Sequence, residues 1–228
     1  MIQIKKLTKN LRGGGHRVDI LNGINLEVPK GQFLAITGPS GSGKTTLLSL
    51  IAGLDSPTSG SIYINDQDIT QLNEDELAHL RNSHFGFVFQ NFHLIPTLTA
   101  LENVQLSTEL NGSNNGRERS ENLLEQVGLK DRLLHYPSQL SGGEQQRLSI
   151  ARAFVNEPDI VLADEPTGNL DSKNTDIIME LICQLHQTKQ ATIVMVTHEP
   201  KVAKLSERIL IFNDGRIVED AIPVDSSL

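Results

Sequence analysis

An eight-residue glycine-rich segment constrains this chain more than any other part of its sequence. It is Gly38-Pro39-Ser40-Gly41-Ser42-Gly43-Lys44-Thr45. The apolar run Phe33–Ile36 precedes it, and the helix-like run Thr45–Ala52 follows. A strand, a glycine loop and a helix in this order are typical of a phosphate-binding loop, whereas a merely flexible glycine turn needs neither flanking element.

Each part of this loop has a physical role in binding a nucleoside triphosphate. Glycines let successive backbone N–H groups turn inward around an anion, and the start of the helix adds its positive dipole end. Lys44 adds a point charge worth about 4 kcal/mol against one phosphate charge at ~4 Å and an effective dielectric of ~20. The Thr45 hydroxyl can bind Mg²⁺. We therefore expect the whole loop, together with Thr46, to bind the nucleotide.

Composition limits what else the chain can be. Its 228 residues suit one α/β domain, or one domain with an inserted subdomain. The formal net charge of −8 argues against a nucleic-acid surface, which needs clustered Lys and Arg. No apolar run reaches the roughly 18 residues that span a bilayer, and no secretory signal begins the sequence. Any role at a membrane is therefore expected to go through a partner.

The single cysteine, Cys183, excludes an intramolecular disulfide and suits the reducing cytosol. It lies within residues 176–185, where apolar residues recur at helical spacing. We therefore expect this cysteine to have a structural role in a helix rather than a redox role.

The first 30 residues alternate apolar and polar positions, which predicts antiparallel strands with one exposed face. Between them lies the glycine-rich stretch Arg12–His16. We interpret it as a hairpin loop, because no following Lys and helix make it a second phosphate-binding loop. Further along, the pattern predicts a strand at Ser61–Asn65, a short helix at Glu74–Arg81 and a buried strand at Phe85–Phe89.

A helical insertion is predicted from residue 91 to residue 156, where there is little β-like sequence. Its helices are expected at Ala100–Leu110, Arg117–Val127 and Gly142–Phe154. Strand patterns resume at Ile160–Ala163, Ile193–Val196 and Ile209–Phe212, and Asn213-Asp214-Gly215 predicts a hairpin turn. The first two of these strands are continuously apolar, which is typical of parallel strands buried on both faces.

Two acids follow directly on one of these buried strands. Ile160–Ala163 leads into Asp164-Glu165, and an ionised carboxylate at such a place needs a partner. Because ligands bind at the carboxyl edge of a parallel sheet, both acids should face the nucleotide. Asp164 then belongs with Mg²⁺, and Glu165 lies beside the γ-phosphate as the general base for water. The alternative is that both acids cap a helix before Pro166.

Two further polar residues follow predicted strands. Gln90 follows Phe85–Phe89, and His198 follows Ile193–Thr197. A lone histidine is usually structural, but an imidazole at the edge of the same site can bond the γ-phosphate. We therefore expect both residues at the nucleotide.

A second anion-binding pattern occurs in Leu140-Ser141-Gly142-Gly143-Glu144, named here the signature segment. Ser141 can cap a helix that runs through Arg152, and the two glycines expose backbone N–H groups at its start. The pattern by itself leaves open whether it serves the same nucleotide.

The order of these motifs resembles that of the ATPase subunit of ABC transporters, over nearly the whole chain. Further stretches are similar to the MacB/LolD/FtsE-type branch: Gly53-Leu54-Asp55, Gly86–Gln90, Ala163–Asp171 and Val196–His198. Within that branch, Asn91–Leu98 and Ala151–Phe154 are most similar to YbbA-like members.

The resemblance implies an α/β P-loop NTPase fold of the ABC ATPase type. A mixed-sheet, RecA-like core with an antiparallel β subdomain would comprise residues 1–90 and 157–228, and the inserted helical subdomain residues 91–156. ATP and Mg²⁺ would be the ligands. The implied metal ligands are Thr45, Gln90 and Asp164, and the implied catalytic residues are Lys44, Gln90, Glu165 and His198.

The resemblance also implies a head-to-tail homodimer around two ATP molecules. Ser141, Gly142 and Gly143 of one copy would cap the γ-phosphate held by Lys44 of the other, and Glu144 and Asp171 are also implied to bind the nucleotide. The loop Asn169–Asp171 would cross between the sites. A second copy in trans makes physical sense, because it completes the charge stabilisation of a γ-phosphate that one loop leaves partly exposed.

An integral membrane permease, of the FtsX or MacB type, is the other implied partner. It would hold the protein on the cytoplasmic face of the inner membrane and use its motion to extrude a lipoprotein, lipid or peptide, or to transmit a mechanical signal. Phe92, Leu94, Ile95 and Pro96 are apolar enough to seat a coupling helix of the permease. Internal packing of these four residues is the alternative, and no direct nucleic-acid partner is expected.

One position departs from the family pattern. Relatives usually carry an aromatic residue near the N-terminus that stacks on adenine, whereas this sequence has Leu11 there and no Tyr or Trp before the loop. Base–aromatic stacking is worth ~1–3 kcal/mol per base in nucleic-acid complexes. We expect weakened adenine selectivity, unless His16 or a partner residue substitutes.

Two other functions are weighed against the transporter. A soluble ABC-type ATPase acting on a ribosome or nucleic acid usually has two fused cassettes or long coiled-coil or basic insertions, which this sequence lacks. A regulatory module that binds nucleotide without hydrolysis would not need Glu165 and His198.

Overall fold

The computed structural model describes residues 1–13, 16–112 and 115–223. Strands β1–β10 are, in chain order, Ile2–Gly13, His16–Val28, Phe33–Thr37, Ser59–Ile64, Gln67–Asp68, Phe85–Phe89, Ile160–Asp164, Thr192–Val196, Arg208–Asn213 and Arg216–Ala221. Helices α1–α7 are Lys44–Ile51, Glu74–His84, Ala100–Leu110, Gly116–Gln126, Gly142–Phe154, Ser172–Lys189 and Pro200–Ala203. The elements fall into two compact units, Met1–Arg81 with Thr192–Leu228, and Asn82–Ala191.

The first unit contains an antiparallel sheet in the strand order β2-β1-β4-β5. Apolar residues of β1 and β2 pair across the strands and are buried, as Ile2 opposite Val28 illustrates, so the predicted antiparallel pair is confirmed. Both strands extend into the predicted loop 12–16. The two central residues of that loop, Gly14 and Gly15, lie outside the described residues.

The first unit also contains strands in the order β10-β9-β3-β8. The central strand β3 is parallel to both β8 and β9. Its run Phe33–Ile36 and the run Ile193–Val196 of β8 are buried throughout, as strands covered on both faces require. The predicted hairpin joins β9 to β10. Its turn residues Asp214 and Gly215 have φ values of 46° and 71°, because a type I′ turn needs positive φ at both central positions.

The second unit contains the parallel pair β6–β7 and most of the helices. Helices α3, α4 and α5 pack on one another, and α5 also packs on β6 and α6. Thr99 and Ser141 start α3 and α5 through reciprocal hydrogen bonds with Glu102 and Glu144, which are capping boxes. The three predicted helices are therefore present, with ends within one residue of the expected positions. The limits of the insertion at 91–156 stay a prediction.

Cys183 lies on α6, where burial raises the pKa of its thiol and so disfavours the reactive thiolate. Among residues 1–13, 16–112 and 115–223, no helix is both long and apolar enough to cross a membrane.

Candidate nucleotide site

The phosphate-binding loop lies in the first unit, between the end of β3 and the start of α1. Gly43 precedes the helix with a φ of 102° and makes no side-chain cap, and the first helical turn contains no acidic residue. The N–H groups that open an α-helix lack partners within the helix. An anion can therefore bind them, and the helix dipole favours it.

Lys44 lies back across this loop. Its Nζ donates hydrogen bonds to the carbonyl oxygens of Gly38 over 2.9 Å and Pro39 over 2.8 Å. The residue is only 8% exposed. Its charge is thus fixed against the loop backbone, where solvent screens it less than at the surface.

Two other elements of the first unit hold the loop in shape. A Cβ on Gly43 would lie 2.8 Å from the carbonyl oxygen of Ile20 in β2, so a side chain cannot be accommodated without movement. From the other end of the chain, the N–H of Gly215 donates to the carbonyl oxygen of Ser42 over 3.0 Å. This support by the β9–β10 turn was missed from the sequence, because no local pattern links residues so far apart.

His198 leaves its strand at the same edge as the loop. Strands β3 and β8 are parallel neighbours, and the N–H of Thr197 donates to the carbonyl oxygen of Ile36 over 3.1 Å. The carboxyl ends of such strands meet at one edge of a sheet. The exposed His198 follows there, so the first unit brings the loop and this histidine together.

The second unit brings Gln90, Asp164 and Glu165 together in the same way. Strands β6 and β7 are parallel, with Phe89 opposite Asp164, and Gln90 and Glu165 are the next residues of each. Both acids are half-buried. Glu165 has a φ of 48°, in the left-handed region that residues other than glycine rarely adopt. Such outliers cluster at functional sites.

The signature segment starts α5 through hydrogen bonds in both directions. Ser141 Oγ accepts from the N–H of Glu144 over 3.3 Å, and the Ser141 N–H donates to Glu144 Oε2 over 2.8 Å. Arg132 Nε donates to Glu144 Oε1 over 3.2 Å. The hydrogen bonds that the carboxylate accepts, that from the Ser141 N–H above all, lower the pKa of Glu144. The structure thus makes Glu144 a capping residue, and its contact with nucleotide stays a prediction.

Asp171 starts α6 next to this segment. Its Oδ1 accepts from the backbone N–H of Asn174 over 2.8 Å and from Asn174 Nδ2 over 3.1 Å, and these bonds lower the pKa of Asp171. Asn174 Oδ1 lies 2.5 Å from where a Cβ on Gly143 would be, so the starts of α5 and α6 are in close contact. Asn174 was missed from the sequence, although Asp-x-x-Asn before an apolar-periodic run indicates a helix start.

The fold and the loop together define a class of protein, the α/β P-loop ATPases. Within that class, a family model described as ABC transporter matches residues 21–168. The chain belongs to the ABC transporter family, as an ATP-binding and ATP-hydrolysing subunit.

Individual relatives agree with this assignment. The lipoprotein-releasing system ATP-binding protein LolD of Legionella pneumophila (strain Paris) is 47% identical over 215 residues, which cover 93% of this chain and 95% of that protein. The macrolide export ATP-binding/permease protein MacB of Vibrio parahaemolyticus is 45% identical over 97% of this chain, but the chain spans only 34% of that longer protein. The predicted MacB/LolD-type branch is therefore confirmed, and the finer similarity to YbbA-like members stays a prediction.

Solved structures agree as well. The bacterial ABC transporter cassette MJ0796, solved as a dimer, is 42% identical with a TM-score of 0.91, over 99% of this chain and 100% of that one. The same cassette has been solved in a post-hydrolysis state with ADP and Pi. The predicted ABC ATPase fold and ATPase activity are therefore confirmed.

Proposed function

We propose that two copies of this chain close head to tail around two ATP molecules and drive a membrane permease. The observation that carries the proposal is the full-length likeness to a cassette solved as a dimer. The chain itself supports it, because α1 and α5 each begin with a glycine-rich N-terminus suited to phosphate. Each nucleotide would receive one such helix from each copy.

We assign the binding roles as follows. Lys44 and the loop N–H groups hold the β- and γ-phosphates. Thr45, Gln90 and Asp164 would hold Mg²⁺, which neutralises charge on the phosphate oxygens. A hydroxyl, an amide oxygen and a carboxylate are the hard oxygen donors that this cation prefers, and so the residues fit the metal.

In the chemical step, Glu165 accepts a proton from the attacking water. A bond forms between the water oxygen and the γ-phosphorus as the bond from that phosphorus to the β–γ bridging oxygen breaks. ADP leaves with the electron pair, and phosphate is the second product. His198 donates a hydrogen bond to the γ-phosphate, and Ser141 and the following N–H groups of the second copy complete its stabilisation. ATP therefore favours the closed dimer, and hydrolysis releases it.

The substitution Glu165→Gln tests both halves of this mechanism. Turnover should fall by about 100-fold or more, because a positioned general base contributes on that scale. ATP-dependent dimerisation, measured by light scattering, should persist. The matched control Glu180→Gln lies on the exposed side of α6 and should keep full turnover. Unchanged turnover in Glu165→Gln would exclude Glu165 as the general base. A monomer whose specific activity stays constant across a wide dilution series would exclude the dimer as the active form.

The permease would contact residues 92–96, named here the docking segment. Ile95 is 37% exposed and Pro96 is also exposed, while Phe92 and Leu94 are half-buried. An apolar loop end directly after Gln90 suits a coupling helix of an FtsX- or MacB-type permease, on the cytoplasmic face of the membrane. Extrusion of a lipoprotein, lipid or peptide, or mechanical signalling, would follow from that permease.

Co-expression with the cognate permease tests this contact. The protein should sediment with membranes at moderate salt, and Ile95→Asp should release it. Leu134→Asp is the matched control, because Leu134 is exposed elsewhere in the same unit. Equal sedimentation of Ile95→Asp and the control would exclude the docking segment as the contact.

A further inference from the structure

Arg152, in the last turn of α5, makes contacts that none of the nucleotide motifs accounts for. Its Nη1 donates to the carbonyl oxygen of His93 over 2.5 Å, and its Nη2 donates to that of Phe92 over 2.7 Å. Burial lowers the pKa of the guanidinium. A cation partly withdrawn from water is costly unless its donors are used, so the half-buried position of Arg152 depends on the two carbonyl groups.

The two carbonyl groups belong to an unusual turn. Phe92 and His93 have φ values of 59° and 48°, in the region that residues other than glycine rarely adopt. On its other side, the turn is held by Phe89, whose carbonyl oxygen accepts from the Phe92 N–H over 3.1 Å and whose ring lies 4.5 Å from the His93 ring. Two adjacent carbonyl oxygens suit the planar fork of an arginine, which a lysine lacks.

Arg152 and the signature segment lie at opposite ends of the same helix. The signature segment begins α5, and Arg152 lies about 16 Å further along the same helix axis, at the other end. An α-helix of this length moves as a rigid rod. A displacement of its first turn therefore reaches the turn at Phe92 and His93, which begins the docking segment.

We propose that Arg152 is a positioning residue that couples the signature segment to the docking segment. Closure of the dimer on ATP, through α5 and the arginine fork, sets the conformation that residues 92–96 present to the permease. By thermodynamic reciprocity, a permease seated there favours closure to the same extent. The inference rests on the proposed dimer.

Hydrogen–deuterium exchange of the full-length protein tests this coupling, in a Glu165→Gln background that retains ATP. In this parent, ATP should slow exchange both in residues 141–146 and in residues 91–96. In Arg152→Gln, slowing at 141–146 should persist, while slowing at 91–96 should fall by about five-fold or more, the lower range of measured couplings. Arg117→Gln, an exposed arginine on α4, is the matched control and should behave as the parent does.

The outcomes separate this inference from the proposed function. Undiminished slowing at 91–96 in Arg152→Gln would overturn the inference, because Gln90 would then carry the signal alone. No slowing at 141–146 in the parent would overturn the dimer, and the coupling with it. If Arg152→Gln fails to fold, Arg152→Lys takes its place. Lysine keeps the charge without the fork, so its response at 91–96 should lie between those of Arg152→Gln and the parent, and a response equal to that of the parent would overturn the inference.

Discussion

The side chain of Asn169 is joined to Gln90 by two hydrogen bonds, one with the Gln90 side chain and one with its backbone. Gln90 Nε2 donates to Asn169 Oδ1 over 3.2 Å, and Asn169 Nδ2 donates to the carbonyl oxygen of Gln90 over 3.0 Å and to Asn91 Oδ1 over 3.2 Å. The loop that follows Glu165 therefore sets the direction of the Gln90 amide. The residue that we propose as a metal ligand is thus oriented by the loop after Glu165.

The substitution Asn169→Ala should lower kcat for ATP by on the order of 10-fold with little change in KM, because it removes the side chain that orients Gln90, the proposed metal ligand. Asn169→Asp keeps the acceptor for Gln90 and loses the donor, so its kcat should be intermediate. Steady-state ATPase kinetics measure both. Asn111→Ala, at the exposed end of α3, is the control. A kcat for Asn169→Ala equal to that of the control would show that the orientation of the Gln90 amide does not depend on Asn169.

Alanine substitutions of the two glycines in the signature segment should have different effects, one on stability and the other on dimerisation. A Cβ on Gly143 would lie 2.5 Å from Asn174 Oδ1, whereas one on Gly142 would meet only Leu170 Cδ2, at 3.8 Å. Gly143→Ala should therefore destabilise the fold by about 1–3 kcal/mol, as overpacking does. Gly142→Ala should melt like the wild type, yet lose ATP-dependent dimerisation if its backbone approaches the partner's γ-phosphate. Thermal melting and light scattering separate the two effects. Equal melting temperatures for both variants would refute the packing argument.

Stability should depend on acid pH through Glu144. Hydrogen bonds from Ser141, chiefly, and from Arg132 hold the pKa of Glu144 below its ordinary value of 4.5. A carboxylate with a lowered folded-state pKa contributes stability that is fully present above that ordinary value, and the contribution is lost as the pH falls through the folded-state pKa.

The difference in unfolding free energy between wild type and Glu144→Gln measures this contribution. It should be on the order of 0.5 kcal/mol at pH 7, discounted for solvent exposure. It should stay constant down to about pH 5 and shrink below pH 4.5. Asp171, whose pKa is also lowered, is present in both proteins and cancels. A difference that is the same at pH 3 and pH 7 would mean that the amide replaces the carboxylate fully.

The features that the sequence predicted correctly depend on neighbours a few residues apart. Ser141 and Glu144 form a capping box over one helical turn, and Asp214-Gly215 suits a turn whose φ values must be positive. Continuous apolar runs, such as Ile193–Val196, predict buried strands. In these cases the physical cause lies within the segment itself.

The features that were missed depend on contacts between distant segments. The hydrogen bond from Gly215 to Ser42, and those from Arg152 to the turn at Phe92, join residues whose proximity arises only from the fold. The left-handed backbone conformation of Glu165 could not be predicted from the sequence either. Glutamate has no preference for this conformation, so the surrounding structure must impose it. Motifs therefore indicate which residues act, and tertiary contacts show how they are held.

The position at which an aromatic residue was expected carries an exposed aliphatic pair instead. Leu11 lies opposite Val18 in the β1–β2 pair, and each is 56% exposed. Strand β2 runs from there past Gly43 of the phosphate-binding loop, which Ile20 contacts. Val18 is thus on the strand that borders the loop, but the pair has no aromatic face on which a base can stack.

Leu11→Tyr should therefore lower KM for ATP, and the wild type should show only a weak preference for ATP over GTP. Stacking worth about 1–3 kcal/mol per base corresponds to about 5- to 150-fold in KM for ATP. The measurement is kcat/KM for both nucleotides with wild type, with Leu11→Tyr and with Leu110→Tyr, the same exchange at an exposed site on α3. A wild type that already strongly prefers ATP, and that Leu11→Tyr leaves unchanged, would show that another group stacks on the adenine. A KM for ATP that falls only in Leu11→Tyr would place the base beside the Leu11–Val18 pair.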